Sequence, residues 1–440
     1  MYETAGQKEK LIVTAVAAEE TPAVLHSLEE LSSLADTAGA VVVGQLLQLR
    51  PSPDPGTYLG SGKIEELRDL IESTGATGVL ADDELSPAQM KNLEDALNCK
   101  VIDRTILILD IFAAHATTSE GKVQVECAQL KYRLTRLSGF GTELSRLGGG
   151  IGTRGPGEKK LENDRRVIRD RLARLNRELK SIEEHRGLTR SKREGAGLLS
   201  AAIVGYTNAG KSTLLNYLTG AGVLSEDKLF ATLDPTTRRL DLPDGEKILL
   251  TDTVGFISKL PHHLIEAFKS TLEEARYADF LIHVVDVTDP EADLHMDVVY
   301  RTLADLGVTG KPVITLFNKC DTARSAGQEI FAGRPGLLHR IDTRADKTFF
   351  ISAKTGDGIG EFLSGLEQLV RGSRREVDCI LPYSRTALVS EIRTGGGEIL
   401  SEEYKEDGIH LRANVSARMA GLLMKADIRK GRKNDSDSGG

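Results

Sequence analysis

The chain has 440 residues and a formal net charge of −8; it is too long for one hydrophobic core, so roughly two to four domains are expected, and its total charge alone argues against a nucleic-acid partner. Four cysteines, Cys99, Cys127, Cys320 and Cys379, are scattered without Cys-x-x-Cys or Cys/His spacing, a pattern of reduced structural thiols that excludes a disulfide framework and a zinc site. No apolar segment reaches membrane-spanning length without charge, and the N-terminus lacks a signal-peptide pattern, so the expectation is a cytoplasmic protein without membrane insertion, free or loosely membrane-associated.

Residues 10–121 alternate strand-like runs (11–17, 40–49, 78–81, 100–102) with helix-like ones (22–35, 64–73, 87–96, 105–114). That rhythm predicts a small α/β domain, residues 1–121, with a mostly parallel sheet. Residues 51–56, Pro-Ser-Pro-Asp-Pro-Gly, read as an extended surface loop. The following Gly60-Ser61-Gly62-Lys63 lacks the first glycine and the terminal Ser or Thr of a phosphate loop, so ATP is not expected there and a turn is. Asp103, Arg104 and His115 are polar residues at predicted element ends, and a structural role outweighs a catalytic one for them.

Charge is distributed unevenly. Residues 122–195 hold 19 Lys and Arg against 10 Asp and Glu, a local +9 that leaves −17 for the remainder. An acidic body with a basic limb points toward nucleic-acid phosphates. Val123, Cys127, Leu130, Leu134 and Leu137 step by four and three, as do Ile168, Leu172, Leu175, Leu179 and Ile182. Two helices with narrow apolar seams follow, forming an antiparallel hairpin over 122–196. Between them, residues 138–158 contain Gly-Phe-Gly and a run of further glycines, so this stretch is not expected to be helical throughout, and a long, flexible, basic tip is predicted. Arg146, Arg154, Lys159 and Lys160 there can neutralise RNA phosphates. A solvated coiled coil with a flexible linker accounts for the same residues.

The most specific pattern lies in residues 197–374. Gly205, Tyr206, Thr207, Asn208, Ala209, Gly210, Lys211 and Ser212 sit between a strand-like stretch (198–204) and a helix-like one (212–218). In that setting backbone N–H groups surround phosphate, Lys211 reaches the β- and γ-phosphates and Ser212 ligates Mg2+, and Thr213 is counted with them as nucleotide-binding. Asn318, Lys319 and Asp321 hang from the apolar run 312–317. The Asp321 carboxylate can accept from guanine N1–H and its exocyclic amine, a pairing adenine does not offer. Asn318 is placed to tie the loops together, and Lys319 to lie along the ring. Ser352, Ala353 and Lys354 follow a further strand-like segment, and the Ala353 amide is expected to face guanine O6.

Two intervening segments carry the switching chemistry. Asp252, Thr253, Val254 and Gly255 end an apolar strand; Asp252 can hold a water on Mg2+ and Gly255 can meet the γ-phosphate. In Phe230, Ala231, Thr232, Leu233 and Asp234, followed by Pro-Thr-Thr, Thr232 is the expected second protein oxygen on Mg2+. Both loops should order with GTP and relax with GDP. Lys211, Thr232 and Gly255 are the expected catalytic groups. Phe256 stands where many GTPases place a water-orienting glutamine, which predicts slow intrinsic hydrolysis and a stimulating partner.

Beyond this domain, residues 376–381, 388–393 and 410–415 read as strands and 416–424 as a helix, a small α+β domain over 375–424. Residues 425–440 end in Asp, Ser and Gly and are expected to be disordered.

These motifs together resemble a known family. Residues 230–238 (Phe-Ala-Thr-Leu-Asp-Pro-Thr-Thr-Arg), 252–256 (Asp-Thr-Val-Gly-Phe), 110–113 (Asp-Ile-Phe-Ala) through 120–126 (Glu-Gly-Lys-Val-Gln-Val-Glu), and 149–158 (Gly-Gly-Ile-Gly-Thr-Arg-Gly-Pro-Gly-Glu) look like the HflX family of ribosome-associated GTPases, over about residues 10–424. The resemblance implies binding to the large (50S) ribosomal subunit and its rRNA. It also implies ribosome-stimulated GTP hydrolysis, separation of ribosomal subunits under stress, and an N-terminal domain and hairpin reaching toward the peptidyl transferase centre. His115, Cys127 and Thr135 depart from the arginine, leucine and proline usual in the family, and the missing proline bears on the bend of the first hairpin helix. A ribosome assembly factor, or a GTP-gated adaptor acting on another complex, would use the same nucleotide residues. A monomer is expected when free.

Overall fold

A computed structural model describes residues 8–144, 156–195, 198–220, 229–230, 233–259, 269–325, 341–372, 374–394 and 397–431. They group into two units. The first comprises Met1–Ser181, Glu226–Asp234 and Val254–Thr271; the second comprises Ile182–Ser225, Pro235–Thr253 and Leu272–Gly440.

In the first unit, β1 (Lys10–Ala17), α1 (Pro22–Thr37), β2 (Val41–Leu49), α2 (Ser61–Thr74), β3 (Gly78–Ala81), α3 (Pro87–Leu97), β4 (Lys100–Asp103) and α4 (Arg104–His115) follow in order. The strands form a wholly parallel sheet, β2-β1-β3-β4. Helix starts are written locally: Thr21 and Ser86 cap α1 and α3, each followed by proline, and Ser86 forms a reciprocal capping box with Gln89. Ile12, Val79 and Val101 pack one sheet face against Ile64, Leu67 and Leu93. Leu11 and Val13, which alternate with Ile12, are buried as well, because a parallel sheet of crossover units is covered on both faces.

Arg104 is the unexpected element of this core. It is 1% exposed and pairs with Glu30 (2.5 Å) and Asp82 (2.5 Å). Burial disfavours its charge, but the two carboxylates outweigh that and raise its pKa further. Arg104→Met would leave Glu30 and Asp82 buried without this partner, and such a loss costs about 3–5 kcal/mol. The expected result is a lower urea midpoint for the N-terminal domain's transition; a midpoint unchanged from the parent would contradict this account.

Two long helices complete the first unit's hairpin, α5 (Ser119–Leu144) and α6 (Pro156–Gly195), with α6 continuing past Ser181 into the second unit. Val123, Cys127, Leu172 and Leu175 form the seam with Leu130, Leu134, Ile168 and Leu179 beside them, so the four-three spacing was read correctly; Leu137 and Ile182 stand outside the cluster. Helix extends further than expected into residues 138–158. It runs through Gly139-Phe140-Gly141 to Leu144 and resumes at Pro156, because single glycines cost a helix only about 1 kcal/mol each. Arg146 and Arg154 lie outside the described residues, and Lys159 and Lys160 occupy the first turns of α6.

The second unit contains β5 (Leu199–Gly205), α7 (Lys211–Thr219), β6 (Thr236–Asp241), β7 (Lys247–Asp252), α8 (Lys269–Tyr277, whose first turn belongs to the first unit), β8 (Phe280–Asp286), α9 (Ala292–Asp305), β9 (Val313–Asn318), α10 (Cys320–Ser325), β10 (Lys347–Phe350) and α11 (Ile359–Gly372). The sheet order is β10-β9-β8-β5-β7-β6, parallel except for the β6–β7 pair. Ile203, Leu250, Ile282, Val284, Ile314 and Leu316 supply its centre, packed against Leu214, Phe362 and Leu366.

The same unit continues into β11 (Arg374–Leu381), a 3-10 turn (Tyr383–Arg385), α12 (Thr386–Thr394), β12 (Glu398–Lys405), β13 (Gly408–Ser416), α13 (Ala417–Ala426) and α14 (Ile428–Gly431). Three expectations are corrected here. Residues 388–393 are helical, not a strand: Leu388, Val389 and Ile392 recur at helical spacing and pack on one core. The strand β12 was missed because its charged edge sequence leaves most of its side chains exposed. Residues 425–431 are ordered, since Asp427 accepts from the Ile380 amide (3.2 Å) and Arg429 pairs with Asp378 (2.9 Å); residues 432–440 lie outside the described residues.

All four cysteines are free thiols, three of them buried. Among the described residues no helix is long and apolar enough to cross a membrane.

Candidate functional site

Parallel strands bring their carboxyl ends to one edge of the sheet, and there the loops after β5, β9 and β10 meet. The loop after β5 turns into α7 through Asn208 (φ 58°) and Gly210 (φ 96°). A β-carbon at Gly210 would collide with the Asn318 amide nitrogen, so this glycine serves both the left-handed backbone and the approach of the neighbouring loop.

Lys211, the first residue of α7, is 6% exposed and donates to the Tyr206 carbonyl (2.8 Å). Burial pushes its ammonium down to about 8, with Asp252 opposing that shift. Ser212 Oγ donates to Asp252 Oδ2 (2.7 Å), and Asp252, at the end of β7, is fully buried. A hydroxyl and a carboxylate so close are hard oxygen donors, the set Mg2+ favours. The Thr253 hydroxyl donates to the Ile203 carbonyl (2.7 Å), locking the end of β7 to β5.

At the other end of the site Asn318 joins two loops: its Nδ2 donates to the Ala209 carbonyl (2.8 Å) and its Oδ1 accepts from the Ala353 amide (2.9 Å). The Ala353 amide, expected to face a base oxygen, is therefore directed to Asn318 in this structure. Asp321 Oδ1 accepts from the buried Ser352 hydroxyl (2.8 Å). Lys319, in the left-handed region at φ 66°, pairs with Asp286 (2.8 Å). Lys354 is exposed.

The other expected site residues belong to the first unit. Val254 and Phe256 are buried there, Phe256 at 2% exposure, and Gly255 lies between them. Phe230 packs edge-on against Phe112 with ring centroids 4.6 Å apart, and Leu233 is buried. Asp234, expected at the nucleotide, instead has both carboxylate oxygens engaged by Thr117 and Thr118. Ala231 and Thr232 lie outside the described residues.

Sequence reading missed one partner of the phosphate loop. The Tyr206 ring stacks on His295 with centroids 3.6 Å apart and planes 8° from parallel, and His295 Nδ1 sits 3.1 Å from Asp289. Nothing in the spacing of residues 206 and 295 announces that contact. The Gly60-Ser61-Gly62-Lys63 motif is the start of α2: the Gly60 amide donates to Gln48 (2.9 Å) and Lys63 pairs with Glu66 (2.7 Å).

A strand, a glycine loop and a helix led by a buried lysine, on a parallel sheet with an Asn-Lys-x-Asp loop two strands away, define a P-loop GTPase. Family models match along most of the chain: residues 25–113 a GTP-binding GTPase N-terminal region, 115–193 a GTP-binding GTPase middle region, and 200–319 a 50S ribosome-binding GTPase. The GTPase HflX of Lacrimispora saccharolytica is 54% identical over 96% of this chain and 97% of its own length. That of Escherichia coli is 42% identical over 81% and 82%. A GTP-binding protein from Sulfolobus solfataricus, solved in complex with GDP, aligns at 26% identity over 81% of this chain and 98% of that one, with a TM-score of 0.42. This chain belongs to the HflX family and is a GTP hydrolase.

The lowered Lys211 pKa has a measurable consequence. Phosphate binding requires the ammonium form and raises its pKa, so below about pH 8 affinity should be flat. Above that pH the free protein has lost the proton, binding must recover it, and affinity should fall by up to about tenfold per pH unit. Titration calorimetry with GDP between pH 7 and 9.5 checks this; a flat profile would contradict it.

Proposed function

We propose that this chain binds the large ribosomal subunit and its rRNA through the basic tip of the helical hairpin, is stimulated there to hydrolyse GTP, and separates or rescues stalled ribosomes. The observation that carries the reading is the match of residues 200–319 to a 50S ribosome-binding GTPase, joined to the excess of 19 basic over 10 acidic residues in 122–195. Arg146, Arg154, Lys159 and Lys160 are the residues assigned to rRNA phosphates. The free protein is a monomer in this reading.

In the proposed mechanism Gly205 to Gly210 cradle phosphate with backbone amides while Lys211 neutralises the β- and γ-phosphates. Ser212, Thr232 and, through water, Asp252 would hold Mg2+, and a bound ion would supply positive charge to the phosphates. The Gly255 amide meets the γ-phosphate. Asn318 positions the base loop, Asp321 and Ser352 select guanine, and Lys319 and Ala353 complete the base pocket after turning from the partners they hold here. Phe256 can neither donate nor accept, so the attacking water must be oriented by a group from outside this position. The ribosome is the proposed source, and such help is worth on the order of a thousandfold or more.

Steady-state GTP hydrolysis with and without purified large subunits tests the reading. Strong stimulation is expected; equal rates would sink ribosome dependence and favour an adaptor acting on another complex.

A further inference from the structure

Helix α5 begins at Ser119, and the two residues before it are held by a single carboxylate. Asp234 Oδ2 accepts from the Thr117 amide (3.0 Å), the Thr118 amide (2.9 Å) and the Thr117 hydroxyl (2.7 Å), and Oδ1 accepts from the Thr118 hydroxyl (2.5 Å). The Thr118 hydroxyl in turn accepts from the Gly121 amide inside the first turn (3.0 Å). At Gly121 a β-carbon would press into Asp234 itself, so the helix start is shaped around that side chain. Burial disfavours the Asp234 charge, yet the hydroxyls and amides of Thr118 and Thr117 outweigh it and hold the carboxyl below its ordinary range.

A second attachment lies just after residues 252–256, the other segment expected to sense the nucleotide. Lys259, strained at φ 54°, pairs with Asp82 (2.5 Å) and Asp83 (2.9 Å), and Arg104 donates to the Ser258 carbonyl (3.3 Å). Both segments are thus fastened to the N-terminal α/β domain and the root of the hairpin, all within the first unit. Neither attachment belongs to the phosphate or base chemistry.

We propose that Asp234 is a positioning residue that couples the segment carrying Thr232 to the N-terminus of α5, so that the bound nucleotide sets how firmly the hairpin's first helix is anchored. Thr232 is two residues from Asp234, so their Cα atoms stay within about 7 Å. A displacement of Thr232 beyond about twice that length, roughly 14 Å, must carry Asp234 with it. The four bonds to Thr117 and Thr118 then form or break together, giving the two discrete arrangements that coupling between sites requires. Lys259 offers the matching anchor on the second segment. The inference rests on the reading that residues 230–237 respond to the γ-phosphate.

Amide hydrogen exchange on the full chain, loaded with GDP or with a non-hydrolysable GTP analogue, tests it without any ribosome. Exchange at Thr117, Thr118 and Gly121 should differ between the two states on the order of tenfold, the scale of losing a charge-assisted helix cap. Asp234→Ala should give fast exchange in both states. Thr118→Val, which removes the hydroxyl's bonds to Asp234 and from the Gly121 amide and keeps Asp234, should shrink the difference at Thr117 and Thr118 while leaving GDP affinity unchanged, and it covers the case in which Asp234→Ala fails to fold. If residues 230–237 respond to nucleotide while 117–121 do not, the coupling is overturned. If neither segment responds, the underlying switch reading fails and the proposal fails with it. Nucleotide dependence that persists in both variants would also overturn it.

Discussion

Asp321→Asn should lower affinity for GTP by on the order of a thousandfold and move preference toward xanthosine triphosphate. The carboxylate offers two acceptor oxygens to guanine N1–H and the N2 amine, whereas an amide offers one acceptor and one donor. The donor then faces the N2 amine, leaving buried polar groups mismatched, which is where base sites discriminate most strongly. Xanthine carries a carbonyl in place of that amine and restores the pairing. Asp321 is oriented by the Ser352 hydroxyl, 2.8 Å away, so Ser352→Ala should weaken GTP binding more modestly, by about tenfold, without reversing the preference. Competition of both triphosphates against a fluorescent GDP analogue reads all three proteins. Unchanged GTP affinity in Asp321→Asn would remove this residue from base recognition.

The second large effect concerns the hairpin. Deleting residues 139–160 should abolish stimulation by large ribosomal subunits, a fall on the order of a thousandfold in the stimulated rate, while the rate of the protein alone stays near its parent value. Because a deletion can disturb the remaining helices, the four-site variant Arg146→Ala, Arg154→Ala, Lys159→Ala, Lys160→Ala is the better-controlled companion. If all four side chains meet rRNA phosphates, the slope of log affinity against log salt should fall by about 3. A slope equal to the parent's would return the limb to the status of a solvated coiled coil.

What the sequence made legible was set by the range of the interaction. The phosphate loop and the Asn-Lys-x-Asp loop each carry their chemistry within a few consecutive residues, and the strand or helix on either side is declared by local periodicity. Their hydrogen bonds to one another, such as Asn318 to Ala209 across 109 positions, could be expected because the motif itself implies a common ligand. The partners of Asp234 were hidden for the opposite reason. Its neighbours led to the expectation of a nucleotide-sensing loop, but the residues its carboxylate holds are 116 and 117 positions away, and no local pattern encodes them. Lys259 with Asp82, 177 positions apart, was invisible on the same ground. In the C-terminal domain the error was one of period: Leu388, Val389 and Ile392 fit a short apolar run as well as a helix face, and only packing against Val415 and Met419 decides between them.

The sulfur chemistry of this chain follows from where its thiols sit. Burial pushes Cys320, inside the Asn-Lys-Cys-Asp loop, and Cys379 up to about 11, and it raises Cys99 and Cys127 as well. Thiolate is the species that peroxide and alkylating reagents attack, and near neutral pH a thiol with such a pKa is ionised in well under about one molecule in a thousand. Peroxide stress, which disables enzymes with exposed low-pKa cysteines, should leave the base loop of this one chemically untouched. For the same reason Cys320 and Cys379 should stay unlabelled when a single cysteine engineered on the surface carries a fluorescent reporter, while the partly exposed Cys99 would first be replaced.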